Sequence, residues 1–215
     1  MATRPSAFPS LLLLVSGPAG SGKTTVCEGL LETFADSPST PFTQGLRRVI
    51  TATTRQPREG EEHGVDYYFF SKEEFQEKVE QGEFYEHAEV FQNRYGTLKS
   101  EIQNGLDSGQ DLLLNIDVQG AATIRKCAET EASLQTRLVT VFITPPSIEV
   151  LRDRLDQRAQ NSPQDREHRL EIAQEEMKQK PFYDFCIPSG TKEQDLEALK
   201  AIFIAGKLKV RSLNG

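Results

Sequence analysis

Cysteine is scarce in this sequence. Cys27, Cys127 and Cys186 are scattered over 215 residues with no C-x-x-C pair, which argues against a disulfide framework and a cysteine-based zinc site. They read instead as small hydrophobes buried in a reducing compartment. His63, His87 and His168 likewise lack any metal-ligand spacing. Positive charge is short: 25 Lys and Arg against 32 Asp and Glu leave a net charge of -7, so neither nucleic acid nor an anionic membrane is expected as the main partner, and any anion must be bound by a local device. The opening MATRPSAFPSLLLLV has a basic residue before leucines, yet its apolar core is too short for a signal peptide and Pro9 interrupts the approach to it. A cytoplasmic protein is expected. There is no internal repeat, low-complexity tract or heptad array.

What the chain does have is concentrated at residues 11–25, LLLLVSGPAGSGKTT. Residues 17–24 fit the phosphate-loop pattern G-x-x-x-x-G-K-[ST] at every fixed position. The apolar run before them predicts a buried strand, and Val26, Leu30, Leu31 and Phe34 after them form a helical stripe. On that strand-to-helix turn, Gly17, Gly20 and Gly22 permit the backbone to aim successive N–H groups at one anion. The helix N-terminus adds partial positive charge, Lys23 reaches β and γ phosphates, and Thr24 offers its hydroxyl to a magnesium ion. The loop as a whole (Gly17, Pro18, Ala19, Gly20, Ser21, Gly22, Lys23, Thr24) is the expected ATP-binding set.

The rest of the chain alternates strand and helix. Residues 46–54 (LRRVITATT) read as one β-branched strand, and residues 65–70 (VDYYFF) as another. Ser71 and Glu74 predict a capping box that opens a helix over 71–81, ended by Gly82. Residues 83–92 read as strand, Asn93-Arg94 as a turn, and Tyr95-Gly96-Thr97 as the lead into a helix over 98–107. Residues 111–117 (DLLLNID) and 138–144 (LVTVFIT) are near-continuous apolar runs, the pattern of parallel strands covered on both faces. Helices are expected over 119–127, 147–158 and 194–210, with a last strand at 182–188. The expected class is α/β, a parallel sheet with helices on both faces. Residues 1–50 and 98–215 form its core, and residues 51–97 an aromatic-rich insertion.

Arg152, Arg154, Arg158, Arg166 and Arg169 cluster around a polar loop. A charge run is usually a solvated face, and the acids beside these arginines provide partners enough for that. Next to a phosphate loop, an arginine-rich helical hairpin over about 152–170 reads as a lid closing over a transferring phosphoryl group.

Taken in order, GPAGSGKTT, T-T-R-Q-P-R at 53–58, G-V-D-Y at 64–67, F-Y-E-H-A-E at 84–89, Y-G-T at 95–97, N-I-D-V-Q-G at 115–120 and the arginine hairpin resemble the guanylate kinase family over nearly the whole chain. The resemblance implies transfer of the γ-phosphoryl of ATP to GMP, and to dGMP, with Mg²⁺. It places Arg55, Arg58, Tyr67 and Tyr95 on the GMP phosphate, and Glu86, Thr97 and Thr51 on its guanine, with Asp117 orienting GMP or metal-bound water. Lys23, Arg58 and the lid arginines Arg154, Arg158 and Arg169 form the expected catalytic set. Residue chemistry agrees: two arginines spaced R-x-x-R beside two tyrosine hydroxyls make a phosphate clamp. A carboxylate accepts from guanine N1–H and its 2-amino group together, which adenine cannot match. From spacing alone, however, Glu86 between Glu83 and Glu89 also reads as an exposed strand acid.

The chain departs from the family pattern at Asn115, where the first acid of Asp-Ile-Asp is usual, at Thr51, where some members have Ser, and at residues 186–190, where C-I-P-S-G replaces V-I-V-N-D. Two rivals remain. One is a catalytically inactive guanylate-kinase-like module that binds peptides, which should have lost the loop and lid residues retained here. The other is a kinase of a different nucleoside monophosphate or of a phosphorylated sugar. A monomer or a homodimer is expected.

Overall fold

The computed structural model describes residues 8–34, 42–90, 92–158 and 163–209, leaving aside the side chains of 154–158 and 163–166. Its centre is a five-stranded sheet in the order β2-β7-β1-β8-β9, every pairing parallel. The strands are β1 (Leu12–Ser16), β2 (Leu46–Arg48), β7 (Asp111–Asn115), β8 (Leu138–Thr144) and β9 (Phe185–Pro188). The leucine run explains the layering. Leu11, Leu13 and Val15 pack with α1 (Lys23–Phe34) and α8 (Lys192–Lys207), while Leu12 and Leu14 face α3 (Lys99–Asp107), α4 (Val118–Ala128) and α5 (Ala132–Arg137). All five of these residues are buried to 1% exposure or less, and each such side chain contributes roughly 1.5–3 kcal/mol to burial. No helix among the described residues is long and apolar enough to cross a membrane.

A second, four-stranded sheet, in the order β4-β3-β6-β5, lies on the aromatic-rich stretch. Residues 46–54 are not one strand: β2 stops at Arg48, and β3 (Ala52–Thr53) joins the second sheet after three residues. Both halves are β-formers, so only the change of partner reveals the break. Of residues 65–70, only β4 (Tyr68–Phe69) pairs with β3. Helix α2 (Lys72–Glu80) begins at Ser71 with both hydrogen bonds of the capping box, and Phe75 beneath it packs with Ala52, Phe84 and Leu98. Asn93-Arg94 is not a turn, and Tyr95-Gly96-Thr97, which does lead into α3, does so as strand. They belong to β6 (Asn93–Leu98), paired antiparallel to β5 (Phe84–Val90), and the chain reverses before it, where Gln92 takes φ 68°.

The two sheets are joined at residues 49–51 and at the β6–α3 junction. Glu101, buried on α3, serves both crossings. Its carboxylate accepts from Arg47 Nη1, from the Ile50 N–H at 3.2 Å and from the Tyr68 hydroxyl at 2.9 Å.

After β8 come α6 (Ile148–Arg158) and α7 (Pro163–Met177), which share the apolar contacts of Leu151, Leu170 and Ala173. The loop between them lies outside the described residues. A 3₁₀ turn (Lys180–Phe182) takes the first part of the expected last strand, which starts at Phe185.

At the opposite end of the sheet from the phosphate loop, Lys207 and Asp111, 1% and 0% exposed, form an ion pair at 2.7 Å. Lys207 also donates to Pro9 O, and Asp111 accepts from the Leu11 N–H and the Thr43 hydroxyl. Removing one partner leaves a buried charge unmatched. Lys207→Met should therefore lower unfolding free energy by about 3–5 kcal/mol in urea titrations, and Lys207→Met with Asp111→Leu should recover much of that loss.

Candidate functional site

The phosphate loop has the geometry its sequence predicts. Gly17, Gly20 and Gly22 have φ of 143°, 83° and 95°, conformations unfavourable for residues with a Cβ. At Gly17 a Cβ would also collide with the Ile143 carbonyl, so this glycine lets β1 run into the loop tight against β8. The Ser21 N–H donates to Pro18 O at 3.2 Å. Lys23 Nζ donates to Gly17 O at 2.6 Å and to Pro18 O at 2.9 Å, so the loop's own carbonyls hold the ammonium at the mouth of the amide cradle. Cys27, one turn into α1, is buried, and burial pushes its thiol up to about 12, which keeps it an inert hydrophobe at neutral pH.

Facing the loop's end, a cavity of about 280 Å³ is lined by Thr51, Tyr67, Glu86, Tyr95, Asn115 and Asp117 together with Ala88, Val90, Gly96 and Ile116. A second cavity of about 270 Å³ shares Thr51, Tyr67 and Asn115 and adds Thr24, so the two spaces run from the second sheet to the start of α1. Tyr67, Glu86, Tyr95 and Asp117, from four separate sequence motifs, thus meet around one space together with Thr51.

Glu86 sits at its base. Thr97 Oγ1 donates to Glu86 Oε1 at 2.6 Å. Gly120 lies so close that a Cβ there would be 3.3 Å from Glu86 Oε2 and would clash with Ile116. Burial, reinforced by the Asp117 carboxylate and opposed by the Thr97 hydroxyl, raises the Glu86 carboxyl to about 7. A half-buried acid poised to accept two donors is the chemistry a guanine edge requires. Asp117 has a structural task as well: its Oδ1 caps α4 by accepting from the Gln119 and Gly120 N–H groups at 2.9 and 2.8 Å.

The arginines are arranged unequally. Arg55 lies over the Tyr67 ring at 5.4 Å and pairs with both carboxylate oxygens of Glu61 at 2.9 Å. Arg58 is exposed, and it is its backbone N–H that donates to Glu61 Oε2, at 2.8 Å. Glu61, which the sequence reading passed over, therefore holds Arg55 and the Arg58 backbone in one bidentate network. The hydrogen bonds to Arg55 and to the Arg58 N–H hold its carboxyl below the usual range. Arg169 is exposed on α7, and the side chains of Arg154 and Arg158 lie outside the described residues.

The departure at residues 186–190 has its own solution. Asp195, 4% exposed at the start of α8, accepts from Ser189 Oγ at 3.0 Å and from the Gly190 N–H at 2.7 Å. The Ser189 hydroxyl stands 3.8 Å from where a Cβ on Gly22 would be, so this loop is braced against the phosphate loop. Asn115, in place of an acid, directs Nδ2 to Thr24 Oγ1 at 3.5 Å.

The comparisons with known proteins converge on the same family. The model of the guanylate kinase family matches residues 10–205. A guanylate kinase from Clostridium perfringens strain 13 is 37% identical over 203 residues, covering 94% of this chain and 87% of the relative. One from Wolbachia sp. subsp. Brugia malayi is 40% identical over 199 residues, 93% and 94% of the two chains. The crystal structure of guanylate kinase from Anaplasma phagocytophilum superimposes with a TM-score of 0.67 at 30% identity, over 96% of this chain and 90% of that one. With a family match over residues 10–205 and a phosphate loop opening onto an acid-based pocket, the chain belongs to the guanylate kinase family.

Proposed function

We propose that this chain transfers the γ-phosphoryl of ATP to GMP and dGMP, giving ADP and GDP or dGDP, and that the phosphate loop and the Glu86 cavity are its donor and acceptor sites. The observation that carries the reading is the convergence of Thr51, Tyr67, Glu86, Tyr95 and Asp117 on one cavity beside Thr24. Phosphoryl transfer asks for little covalent work: the protein aligns donor and acceptor and neutralises charge on the moving group. Lys23 and the lid residues Arg154, Arg158 and Arg169 supply that charge. Arg55 and Arg58, with the Tyr67 and Tyr95 hydroxyls, clamp the acceptor phosphate; Glu86, Thr97 and Thr51 read its base. In this division residues 1–50 and 98–215 form the donor-binding core, and 51–97 the acceptor-binding insertion.

Magnesium fits the donor set at the loop's end. Thr24 offers a hydroxyl, and Asp117 a carboxylate that would orient a metal-bound water, a sparse set of hard oxygens of the kind Mg²⁺ takes when phosphates and waters complete its shell; Asn115 turns its Nδ2, not its oxygen, toward Thr24. Among the described residues no group of three or more His, Cys, Asp and Glu could hold a metal unaided. When bound, the ion would be held by Thr24 and would neutralise charge on the donor phosphates.

A coupled ADP-release assay with GMP, dGMP, AMP and UMP tests the reading. GMP should be preferred over AMP by ~10⁴-fold in kcat/KM, since adenine cannot satisfy a buried carboxylate. Turnover of AMP at comparable efficiency, or none with any nucleotide, would reject it.

A further inference from the structure

In β5 the side chains change face between Phe84 and Glu86. Phe84 pairs with Leu98 and Glu86 with Thr97, so three residues of β5 stand opposite two of β6, and Tyr85 is the extra one. This is a β-bulge. Side chains alternate along a regular strand, so without the extra residue Glu86 would share the face of Phe84, which packs with Phe75 and Leu98. With it, Glu86, Ala88 and Val90 line the acceptor cavity, while His87 turns its ring toward Phe75 and Phe84. The bulge decides which side of the sheet the carboxylate serves.

The side chain of Tyr85 holds the bulge in place. Its ring, 3% exposed, leaves the second sheet and joins the core of the first among Leu12, Leu14, Ile102 and Ile124. Its hydroxyl ends in a polar clasp. It donates to Glu131 Oε1 at 2.6 Å and accepts from Gln103 Nε2 at 3.3 Å, and the same Oε1 accepts from Gln103 Nε2 at 3.1 Å and from Ser133 Oγ at 3.2 Å. Glu131 is itself fixed at the junction of α4 and α5. Its N–H donates to Cys127 O at 3.0 Å, and its carbonyl accepts from the Leu134 and Gln135 N–H groups at 3.0 and 2.9 Å. Gln103 and Ile102 place the clasp at the root of α3, where the second sheet joins the first. Burial and the Glu131 carboxylate raise the Tyr85 hydroxyl above its usual range, so it stays a donor at neutral pH.

We infer that Tyr85 and Glu131 are positioning residues for the acceptor base: their hydroxyl–carboxylate contact pins the bulge, and the pinned bulge aims Glu86 at the guanine edge. The inference rests on the GMP reading above. Neither residue lines the cavity, and both act through Glu86. Phenylalanine at 85 keeps the ring in the core and loses the donor. Glutamine at 131 keeps an acceptor for the hydroxyl, whereas alanine does not.

The test compares Tyr85→Phe, Glu131→Ala and Glu131→Gln in steady-state kinetics with ATP, Mg²⁺ and GMP, together with amide exchange of residues 84–88 in the nucleotide-free protein. Tyr85→Phe and Glu131→Ala should each raise KM for GMP by at least about fivefold, with kcat and KM for ATP held within about twofold. Exchange across the bulge should quicken by about tenfold. The melting temperature should fall by no more than about 4 °C, the scale of one lost hydrogen bond in a chain of this size. Glu131→Gln should stay within about twofold of wild type in every measurement. Added to Glu86→Gln, Tyr85→Phe should change kcat/KM for GMP by less than about twofold, because a residue that acts through Glu86 has nothing left to position. An unchanged KM for GMP in Tyr85→Phe would overturn the inference, as would an additive cost of about fivefold in the Glu86→Gln background. Equal losses of kcat and ATP affinity with a larger fall in melting temperature would also overturn it, leaving a contact that only supports the fold. Should the wild-type protein fail to phosphorylate GMP, the functional reading fails, and the exchange comparison still decides whether the clasp holds the bulge.

Discussion

Glu86→Gln is expected to lower kcat/KM for GMP by ~10³-fold or more, the scale on which sites that read hydrogen-bonding groups discriminate. The carboxylate offers two acceptors to the two donors on the guanine edge. The amide offers one acceptor and turns an N–H toward the second donor. The free carboxyl titrates at about 7, so guanine recognition by the ionised form should fade as the pH drops. KM for GMP should rise by about tenfold per pH unit below 7 in the wild type, and the variant should lose this dependence. The same substitution has an opposite effect on the fold. Because the folded carboxyl lies above its unfolded value of about 4.5, the stability it contributes is complete below pH 4.5 and is lost as the pH rises through 7. Glu86→Gln should therefore stabilise the nucleotide-free protein at pH 8, by up to ~3 kcal/mol if the whole shift reflects the buried charge. Less than a tenfold loss with GMP, or a pH-independent KM in the wild type, would remove Glu86 from base recognition.

Lys23→Met is expected to cost ~10³-fold in kcat, the upper range for removing one preorganised charge donor from a transition state. Methionine keeps much of the side-chain length and none of the charge. The change also releases Gly17 O and Pro18 O from their ammonium. Lys23→Arg should restore little, since a planar fork cannot sit where a compact ammonium accepts two convergent carbonyls. KM for GMP should stay within about twofold, as the acceptor cavity does not include this residue. A kcat within tenfold of wild type would place the main charge stabilisation elsewhere.

These two residues were not equally visible before the structure. Lys23 belongs to a loop whose geometry is local: strand, three glycines, lysine and helix follow one another, so the pattern carries its own context. Glu86 was singled out by resemblance, because its role depends on Thr97, Gly120 and Asp117 arriving from distant segments. Glu101 is invisible for the same reason: it looks like an ordinary surface acid and is defined by the inter-sheet crossing it serves. Glu61 finds its partners locally, in Arg55 and the Arg58 N–H, but it sits among other acids in R-Q-P-R-E-G-E-E and spacing does not single it out. The reversal before β6 was misplaced because Asn-Arg carries turn chemistry, while the residue that adopts positive φ is Gln92. The break in residues 46–54 left no mark because strand propensity does not record which sheet a strand joins.

That break has a mechanical consequence. The polypeptide enters the second sheet through residues 49–51 and leaves it at Leu98, and Glu101 ties the Ile50 amide, Arg47 and Tyr68 to the root of α3. Two crossings fastened to a single carboxylate make an axle. Swinging about it would carry Tyr67, Glu86 and Tyr95 through an arc relative to Asn115 and Asp117 without disturbing any rung of the parallel ladder.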